Sequence, residues 1–287
     1  MAADNRLKTP VRDLKGIATP ESFTIKDLSM MVAEKDMNQP IHRHNFYFML
    51  MIEKGKGEHI VDFVHYAISS VSVFFMRPGQ VHQLSLKKGS TGVLIAFNQE
   101  FYSPQETAER TAFRTISNMR HCKIKQESLV NTFSIMSAIM HEYLSKKKYS
   151  NDAIKAWLKL LFIELAREKN NLPDTDKPNP YAQQRYEELM ELLEKNITQS
   201  KEVTAYAQMM NLSIYQLNAL TKEMAGKTCS QVSSDHLILE AKRQLLATAK
   251  LVNQIAYTLG YEDDSYFTRF FKKQTVYSPE NFRKNFA

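Results

Sequence analysis

The apolar residues change their period twice along this chain. Up to about residue 100 they come in short runs broken by turn signals, with Phe46 to Ile52, His59 to Val64, Val71 to Met76 and Val93 to Phe97 as the predicted strands. The unbroken run from Phe46 to Ile52 predicts a strand buried on both faces, and Gly55-Lys56-Gly57 after it has the composition of a hairpin turn. From Lys125 to about Asn170 the period becomes helical. One stripe uses Val130, Phe133, Ser134, Ser137, Ala138, Met140 and His141. After Lys146-Lys147-Lys148, a second uses Ile154, Trp157, Leu158, Leu161, Phe162 and Leu165, with Asn151 or Asp152 as its start.

The second change follows Asn170. Pro173, Pro178 and Pro180 in a stretch with little apolar surface predict a linker over 171–180. Beyond it the chain is helical throughout. Tyr186, Leu189, Met190, Leu192 and Leu193 mark one helix, and Leu237 to Leu246 marks a spacer helix between two similar units. In the later unit, Val252, Ile255, Ala256 and Leu259 recur at helical spacing, Gly260 stops that helix, and Phe267, Phe270 and Phe271 form the buried side of the next, which Asp263 or Asp264 can cap. The earlier unit runs from Val203 to Met210, with Ala207 at the close-contact position and Asn211 in place of the turn glycine. Ser213 and Gln216 then form a capping box ahead of Leu217 and Leu220. Two short helices joined by a tight turn make a helix-turn-helix, whose second helix enters the major groove of DNA.

Length and charge sharpen the picture only in part. A chain of 287 residues suggests two domains, each able to bury a core of its own. The formal charge is +7, yet from Tyr181 onward 13 Lys/Arg face 12 Asp/Glu. Bulk charge therefore does not mark the DNA-binding half, and the placement of charge on one face has to carry the inference. Cys122 and Cys229 are far apart in sequence and suggest neither a disulfide framework nor a cysteine metal site. The start is polar, with Pro10 and Pro20, and reads as an N-terminal arm over residues 1–20. No secretion signal or membrane span is evident, so the cytoplasm is the expected location. No nucleotide-binding glycine loop and no nucleophile motif stands out, so no catalytic residue is assigned and the chain is not expected to be an enzyme.

The pattern Ile255-Ala256, Gly260-Tyr261, Asp263, Ser265-Tyr266-Phe267, Arg269, Phe271-Lys272-Lys273, Ser278-Pro279 and Phe282-Arg283 resembles the C-terminal signature of the AraC/XylS family of bacterial transcription regulators. One departure is Val276, where that family usually has glycine. The resemblance implies two helix-turn-helix units reading adjacent major grooves of double-stranded DNA, about 34 Å apart. Carried over by position, the DNA-facing residues are Tyr215, Gln216, Asn218 and Ala219 in the first unit, and Asp264, Ser265, Thr268, Arg269 and Lys272 in the second. Asn or Gln suits adenine and Arg suits guanine. Ala219 stands where family members often carry arginine, so the first helix is expected to contribute less affinity or to use contacts through water. The resemblance also implies activation, RNA polymerase as a partner, and a homodimer formed through helices such as that of Trp157.

The stretch from His42-Arg43-His44 through Gly55-Lys56-Gly57 to Arg77-Pro78-Gly79-Gln80-Val81-His82 resembles the cupin-like sensor domain that precedes the DNA-binding half in many such regulators. Two histidines at i, i+2 on a strand face the same way, and His82 across a barrel could join them around a metal. Metal-binding cupins also place a glutamate about four residues after the second histidine, and here Phe48 and Met49 occupy that region. The trio is therefore read as ligand-contacting or structural, with no metal and no cofactor assigned. His42, His44, Tyr47, Arg77 and His82 are the expected contacts to a small-molecule effector, with Met49, Met51 and Phe75 as cavity walls.

The expected architecture is α+β. An N-terminal cupin-like β-barrel with connecting helices (21–170) is joined by the linker (171–180) to an all-α DNA-binding domain (181–287). The expected function is sequence-specific DNA binding in transcription control, modulated by an effector in the barrel. Three alternatives stay open on these residues: a metal-binding cupin sensor, a cupin enzyme fused to a DNA-binding domain, or a regulator without an effector.

Overall fold

The computed structural model describes residues 11–12, 23–68, 71–170 and 179–286. The predicted linker, apart from Asn179 and Pro180, lies outside them, as does the predicted N-terminal arm except for Val11 and Arg12. The chain divides into two compact units, one of Pro10–Pro173 and the other containing Asp174–Ala287.

Two five-stranded sheets form the first unit. One has the order β1 (Val11–Arg12), β3 (Met37–His44), β8 (Val81–Leu86), β5 (Gly57–Val61), β6 (Val64–Ile68). The other has the order β10 (His121–Lys123), β7 (Ser72–Met76), β4 (Tyr47–Lys54), β9 (Thr91–Phe97), β2 (Phe23–Asp27). A single helical turn, α1 (Leu28–Met31), follows β2. The predicted barrel is thus flattened into two facing sheets, an arrangement common among antiparallel β folds.

Strand β4 is buried on both faces, as its continuous apolar run requires, because side chains on a strand alternate between faces. Phe48, Leu50 and Ile52 join Val61, Phe74, Leu84 and Leu94 in the core between the sheets. Met49 and Met51 point the other way, into a second core with Phe75, Ile95 and Phe97 under helices α2 (Thr107–Ser117), α3 (Gln126–Ser145) and α4 (Ser150–Asn170). Met49, Met51 and Phe75 therefore do not line the space between the sheets. A slip of one residue in reading the strand reversed the faces.

Two turns also differ from expectation. Strands β4 and β5 belong to different sheets, so Gly55-Lys56 carries the chain across the sandwich and does not close a hairpin. The hairpin lies one strand later. There Asp62 (φ 47°) and Phe63 (φ 68°) both take positive φ, as a two-residue turn of the favoured twist demands. Phe63 carries no turn signal of the Asn-Gly kind. Asp62 is anchored instead from outside, its buried carboxylate accepting from Gln80 Nε2 (2.6 Å) and the Val81 N–H (3.3 Å).

Helix α4 buries the expected Ile154, Leu158, Leu161, Phe162 and Leu165, and Trp157 packs at the margin of the same core. In α3 the buried stripe is Thr132, Ile135, Met136 and Ile139, while Val130, expected inside, is 72 % exposed. Phe133 and Met140 flank that stripe and are only partly buried.

Among the described residues the second unit is all helical: α5 (Pro180–Asn196), α6 (Val203–Met209), α7 (Ile214–Ala225), α8 (Cys229–Ala247), α9 (Val252–Thr258), α10 (Asp264–Thr275) and α11 (Pro279–Phe286). Proline at the first helical position of α5 suits the fixed φ of that ring, and Asn179 caps it by accepting from the Tyr181 N–H. Helix α8 is longer than its apolar pattern suggested because Thr228 and Gln231 form a capping box that starts it at Cys229.

Helices α7 and α10 end alike, on a residue in the left-handed region: Gly226 (φ 65°) and Val276 (φ 71°). A β-branched side chain there is strained by about 1–2 kcal/mol. Val276 is also 82 % exposed, so little packing offsets that cost. Val276→Gly is expected to stabilise the second unit by about 1 kcal/mol, part of the relief being lost to glycine's freedom in the unfolded chain. The check is a higher denaturant midpoint at unchanged slope. A lower midpoint would show the valine to be at ease.

Candidate nucleic-acid interface and a buried histidine cluster

The two helix-turn-helix units repeat one backbone design. Helices α6 and α9 each have seven residues, and α7 and α10 each have twelve. In the first turn the Leu212 N–H donates to Ala207 O (2.9 Å) and the Asn211 N–H to Gln208 O (3.0 Å). In the second the Tyr261 N–H donates to Ala256 O (3.0 Å) and the Gly260 N–H to Tyr257 O (3.0 Å). Asn211 (φ 52°) and Gly260 (φ 71°) take the left-handed conformation that reverses the chain, and asparagine tolerates it better than most residues. The buried Ala207 and Ala256 allow close helix approach in both.

Each second helix buries a narrow edge and leaves a broad face to solvent. Helix α7 buries Leu217, Leu220 and Thr221, and α10 buries Phe267 and Phe271. Of the predicted contacts, Tyr215 is 83 % exposed. Ala219, Asp264, Ser265, Arg269 and Lys272 are also exposed, and Thr268 is half-buried. Asp263 caps α10, accepting from the Ser265 N–H at 2.7 Å. That bond, ahead of the nearby Arg269 charge, holds its carboxyl below the usual range. The cap leaves Arg269 to project from the exposed face.

Two predicted contacts are committed elsewhere. The Gln216 side-chain oxygen accepts from the Ser213 N–H (2.9 Å) within the capping box of α7. The Asn218 oxygen accepts from the Cys229 N–H (3.0 Å), at the orphan first turn of α8. A bidentate contact to adenine needs both the oxygen and the nitrogen of the amide, so each side chain would have to share an oxygen that already accepts one bond, or release that bond. Asn218→Ala is expected to lower stability by about 1 kcal/mol through the lost cap, and to leave base preference unchanged. Binding-site selection together with a thermal melt would check this, and an altered preference at one base would return Asn218 to the interface.

Two residues whose roles the sequence reading did not assign hold the units in place. Arg283 of α11 donates through Nε to Leu245 O (3.0 Å) and through Nη2 to Lys250 O (2.6 Å), satisfying carbonyls where α8 gives way to α9. Lys201, before α6, donates to Gly260 O and lies 4.0 Å from the Tyr261 ring centroid. Arg283 belongs to the family pattern, which signals its importance without naming its partner. Lys201 has no sequence signal, because its partners are 59 or more residues away.

In the first unit, His42, His44, His59 and His82 lie together on the inner face of their sheet, all at most 5 % exposed. His42 pairs across strands with His82, and Val61, two residues beyond His59, pairs with the same residue. His82 bridges the group: its Nδ1 is 3.0 Å from His59 Nε2 and its Nε2 is 2.9 Å from His44 Nε2. His42 Nδ1 is 2.7 Å from Pro40 O. The facing sheet supplies aromatic cover, with the Phe48 ring stacked 5.2 Å from His44 and the Phe74 ring 4.5 Å from His59. Burial, and then the neighbouring His42, His121 and His44, push His59 down to about 3, so it is a neutral imidazole.

His42, His44 and His82 are thus brought together as predicted, and each offers a nitrogen within 4.8 Å of the others. Arg77 stands half-buried just past β7. The turn after it reaches back to the cluster, the Gly79 N–H donating to His44 O at 2.8 Å. Tyr47 is not part of the group. It lies on the opposite face of β4, stacked 5.3 Å from Phe97 in the core under the helices. The alternation that removes Met49 and Met51 from the interior removes Tyr47 as well. His59 was missed because its strand was placed by its apolar content alone. Its spacing of two from Val61 was the available sign.

Repeated helix-turn-helix units with exposed second helices, one carrying arginine and lysine outward, define a sequence-specific DNA-binding transcription regulator. Residues 206–285 match the model of a helix-turn-helix domain. Along nearly the whole chain there are similarities to the transcriptional activator RhaS of Yersinia pseudotuberculosis (23 % identical, covering 85 % of this chain and 89 % of that protein) and to the activator RhaR of Mannheimia succiniciproducens (24 %, covering 92 % and 95 %). Among solved structures, ToxT of Vibrio cholerae with bound unsaturated fatty acid aligns over 91 % of this chain and 95 % of its own, at 18 % identity and a TM-score of 0.44. The chain is thus similar, over most of its length, to proteins named as transcriptional activators, and residues 206–285 carry the helix-turn-helix domain. Among the described residues no helix is long and apolar enough to cross a membrane.

Proposed function

We propose that the chain is a cytoplasmic transcription activator, working with RNA polymerase as a homodimer and without enzymatic activity of its own. In this reading residues 21–170 are a cupin-like sensor, 171–180 a linker and 181–287 the DNA-binding domain. The observation that carries it is the duplicated turn geometry: two second helices of equal length, each ending on a left-handed residue, can enter successive major grooves. Full-length similarity to proteins named as activators supports the sign of regulation. A small effector that binds one arrangement of the two units better than another would shift the population toward the DNA-competent one. His42, His44, Arg77 and His82 are the proposed effector contacts.

Tyr215, Ala219, Ser265, Thr268, Arg269 and Lys272 remain the proposed DNA contacts, with Asp264 beside them. Helix α7 offers Ile214, Tyr215 and Ala219 outward, so it reads by apolar contact, for which the thymine methyl is the natural partner. Helix α10 reads by charge. Arg269→Ala is expected to weaken specific binding by about 1–3 kcal/mol and to relax one base position. Equal losses on cognate and scrambled duplexes would move Arg269 to the phosphates. Selection from random duplexes tests the function as a whole: the full chain should enrich a site with two short segments about one helical turn apart. Enrichment of no site, or equal enrichment by a chain ending at Lys177, would overturn the reading.

A further inference from the structure

We propose that Lys201 makes the chain select DNA sites by the distance between their two segments as well as by their bases, an inference that rests on the DNA-reading function proposed above. Two helix-turn-helix units in one chain read a spacing only when their second helices are held at one separation and one relative rotation. The spacer helix α8 does not fix that rotation by itself. It gives way to α9 through residues 248–251, and Thr248 and Leu251 at the two ends of that joint are both extended, with ψ 155° in each. Arg283 braces the joint itself, on Leu245 O and Lys250 O. A contact at a joint has a short lever arm, so a second contact away from it does more to stop one unit turning on the other.

The connector between α5 and α6 supplies that second contact. It is fastened firmly to the first unit. Ile197 is buried, the Gln199 and Ser200 N–H groups both donate to Asn196 O (2.8 Å each), and the Tyr206 hydroxyl of α6 donates to Ser200 O (2.8 Å). From this anchored stretch Lys201 reaches the second unit, where its Nζ donates to Gly260 O and lies 4.0 Å from the centroid of the Tyr261 ring. Gly260 follows the far end of α9, about 10 Å from the joint at 1.5 Å per residue, so the lever arm here is long. Thr198 O packs on the same glycine, where a Cβ would stand only 2.1 Å away. A charge-assisted hydrogen bond and a cation over an aromatic face both weaken with small displacement. Lys201 therefore holds the turn that aims α10 at one place relative to α6 and α7, and it acts as a positioning residue.

The test uses the full chain and duplexes carrying the site enriched by random selection, with one or two base pairs inserted or removed between its segments. One added base pair carries the second segment about 3.4 Å along the duplex and about 34–36° around it. The parent chain is expected to lose about tenfold or more in affinity for one base pair either way, since the contacts of one segment are then misplaced. Lys201→Met, which keeps an unbranched stem without the charge, should cut that discrimination to about threefold or less, and Lys201→Arg, which keeps a cation and a donor for the ring and the carbonyl, should restore most of it. The discrimination is a ratio of affinities, and a smaller folded fraction divides every affinity by the same factor, so lost stability alone leaves it unchanged. A Lys201→Met chain with the parent's ratio overturns the proposal, and so does one weakened equally on every duplex. A parent chain that binds the selected site yet tolerates every spacing overturns it without any variant and leaves the regulator reading in place. A parent chain that selects no site ends both.

Discussion

Gly260→Ala is expected to destabilise the second unit by about 3–4 kcal/mol and to abolish specific DNA binding at ordinary temperature. Two costs combine. Gly260 sits at φ +71°, where an alanine pays about 1–2 kcal/mol. A Cβ there would also lie 2.1 Å from Thr198 O, a backbone atom that cannot turn aside. Relief requires the turn of the second helix-turn-helix to move away from the segment that joins α5 to α6. The same motion breaks the Lys201 contacts to Gly260 O and the Tyr261 ring. Those contacts tie one reading unit to the other, so the spacing of the two second helices would change along with the stability. A melt should show the transition of the C-terminal unit lowered by more than about 10 °C. Unchanged melting and unchanged affinity would mean that the turn does not pack as described. Asn211, at the same place in the first unit, is the internal control: Asn211→Gly should change stability by only a few tenths of a kcal/mol, since asparagine already tolerates that conformation.

The contrast between those turns shows what could be read from the chain. Local chemistry was legible. The capping box of Ser213 and Gln216, the stop at Gly260 and the buried edge of Phe267 and Phe271 lie within a few residues of one another, and short-range rules describe them. What failed depended on partners far along the chain. Asn218 was read as a base contact, and only the fold brings the Cys229 N–H to it. Tyr47 was placed with the histidines because parity along β4 cannot be fixed without knowing which face the helices cover. His59 joins His82 from a strand 23 residues away. The Gly55–Gly57 segment looked like a hairpin turn because glycine marks both a reversal and a close approach. Here the reason is close approach: a Cβ on Gly57 would lie 2.1 Å from Ser85 O of the neighbouring strand.

The near balance of charge in the C-terminal half also finds its meaning in the fold. Acidic residues of the second unit are often locally neutralised, as Glu188 is by Arg185 (2.5 Å) and Asp235 by Lys227 (2.6 Å). Arg269, Lys272 and Lys273 stand on the exposed face of α10. A local positive field can therefore form on that helix although the half as a whole carries almost none.

Phe271→Ala is expected to cost about 3–5 kcal/mol, the range for emptying a fully buried aromatic site. Phe271 is 0 % exposed, with its ring 5.8 Å from Phe267 and 5.6 Å, edge-on, from Phe282. It thereby joins α10 to α11, whose Arg283 holds the junction of α8 and α9. The loss is a large share of the roughly 5–15 kcal/mol that stabilises a typical domain, so the variant should lose DNA binding without having touched DNA. It differs from Arg269→Ala in a measurable way. Binding by Phe271→Ala should return on cooling or at high duplex concentration, because DNA binds only the folded state and draws the equilibrium toward it. Excess duplex also restores binding by Arg269→Ala, by mass action, but cooling should not, and its melting temperature without DNA should equal that of the parent chain, because there the fold is intact and a contact is missing. Phe271→Leu, which leaves a smaller void, should recover most of the stability and with it the affinity. Full stability with lost binding in Phe271→Ala would put this ring at the DNA, and the exposed face of α10 would then have been assigned to the wrong side of the helix.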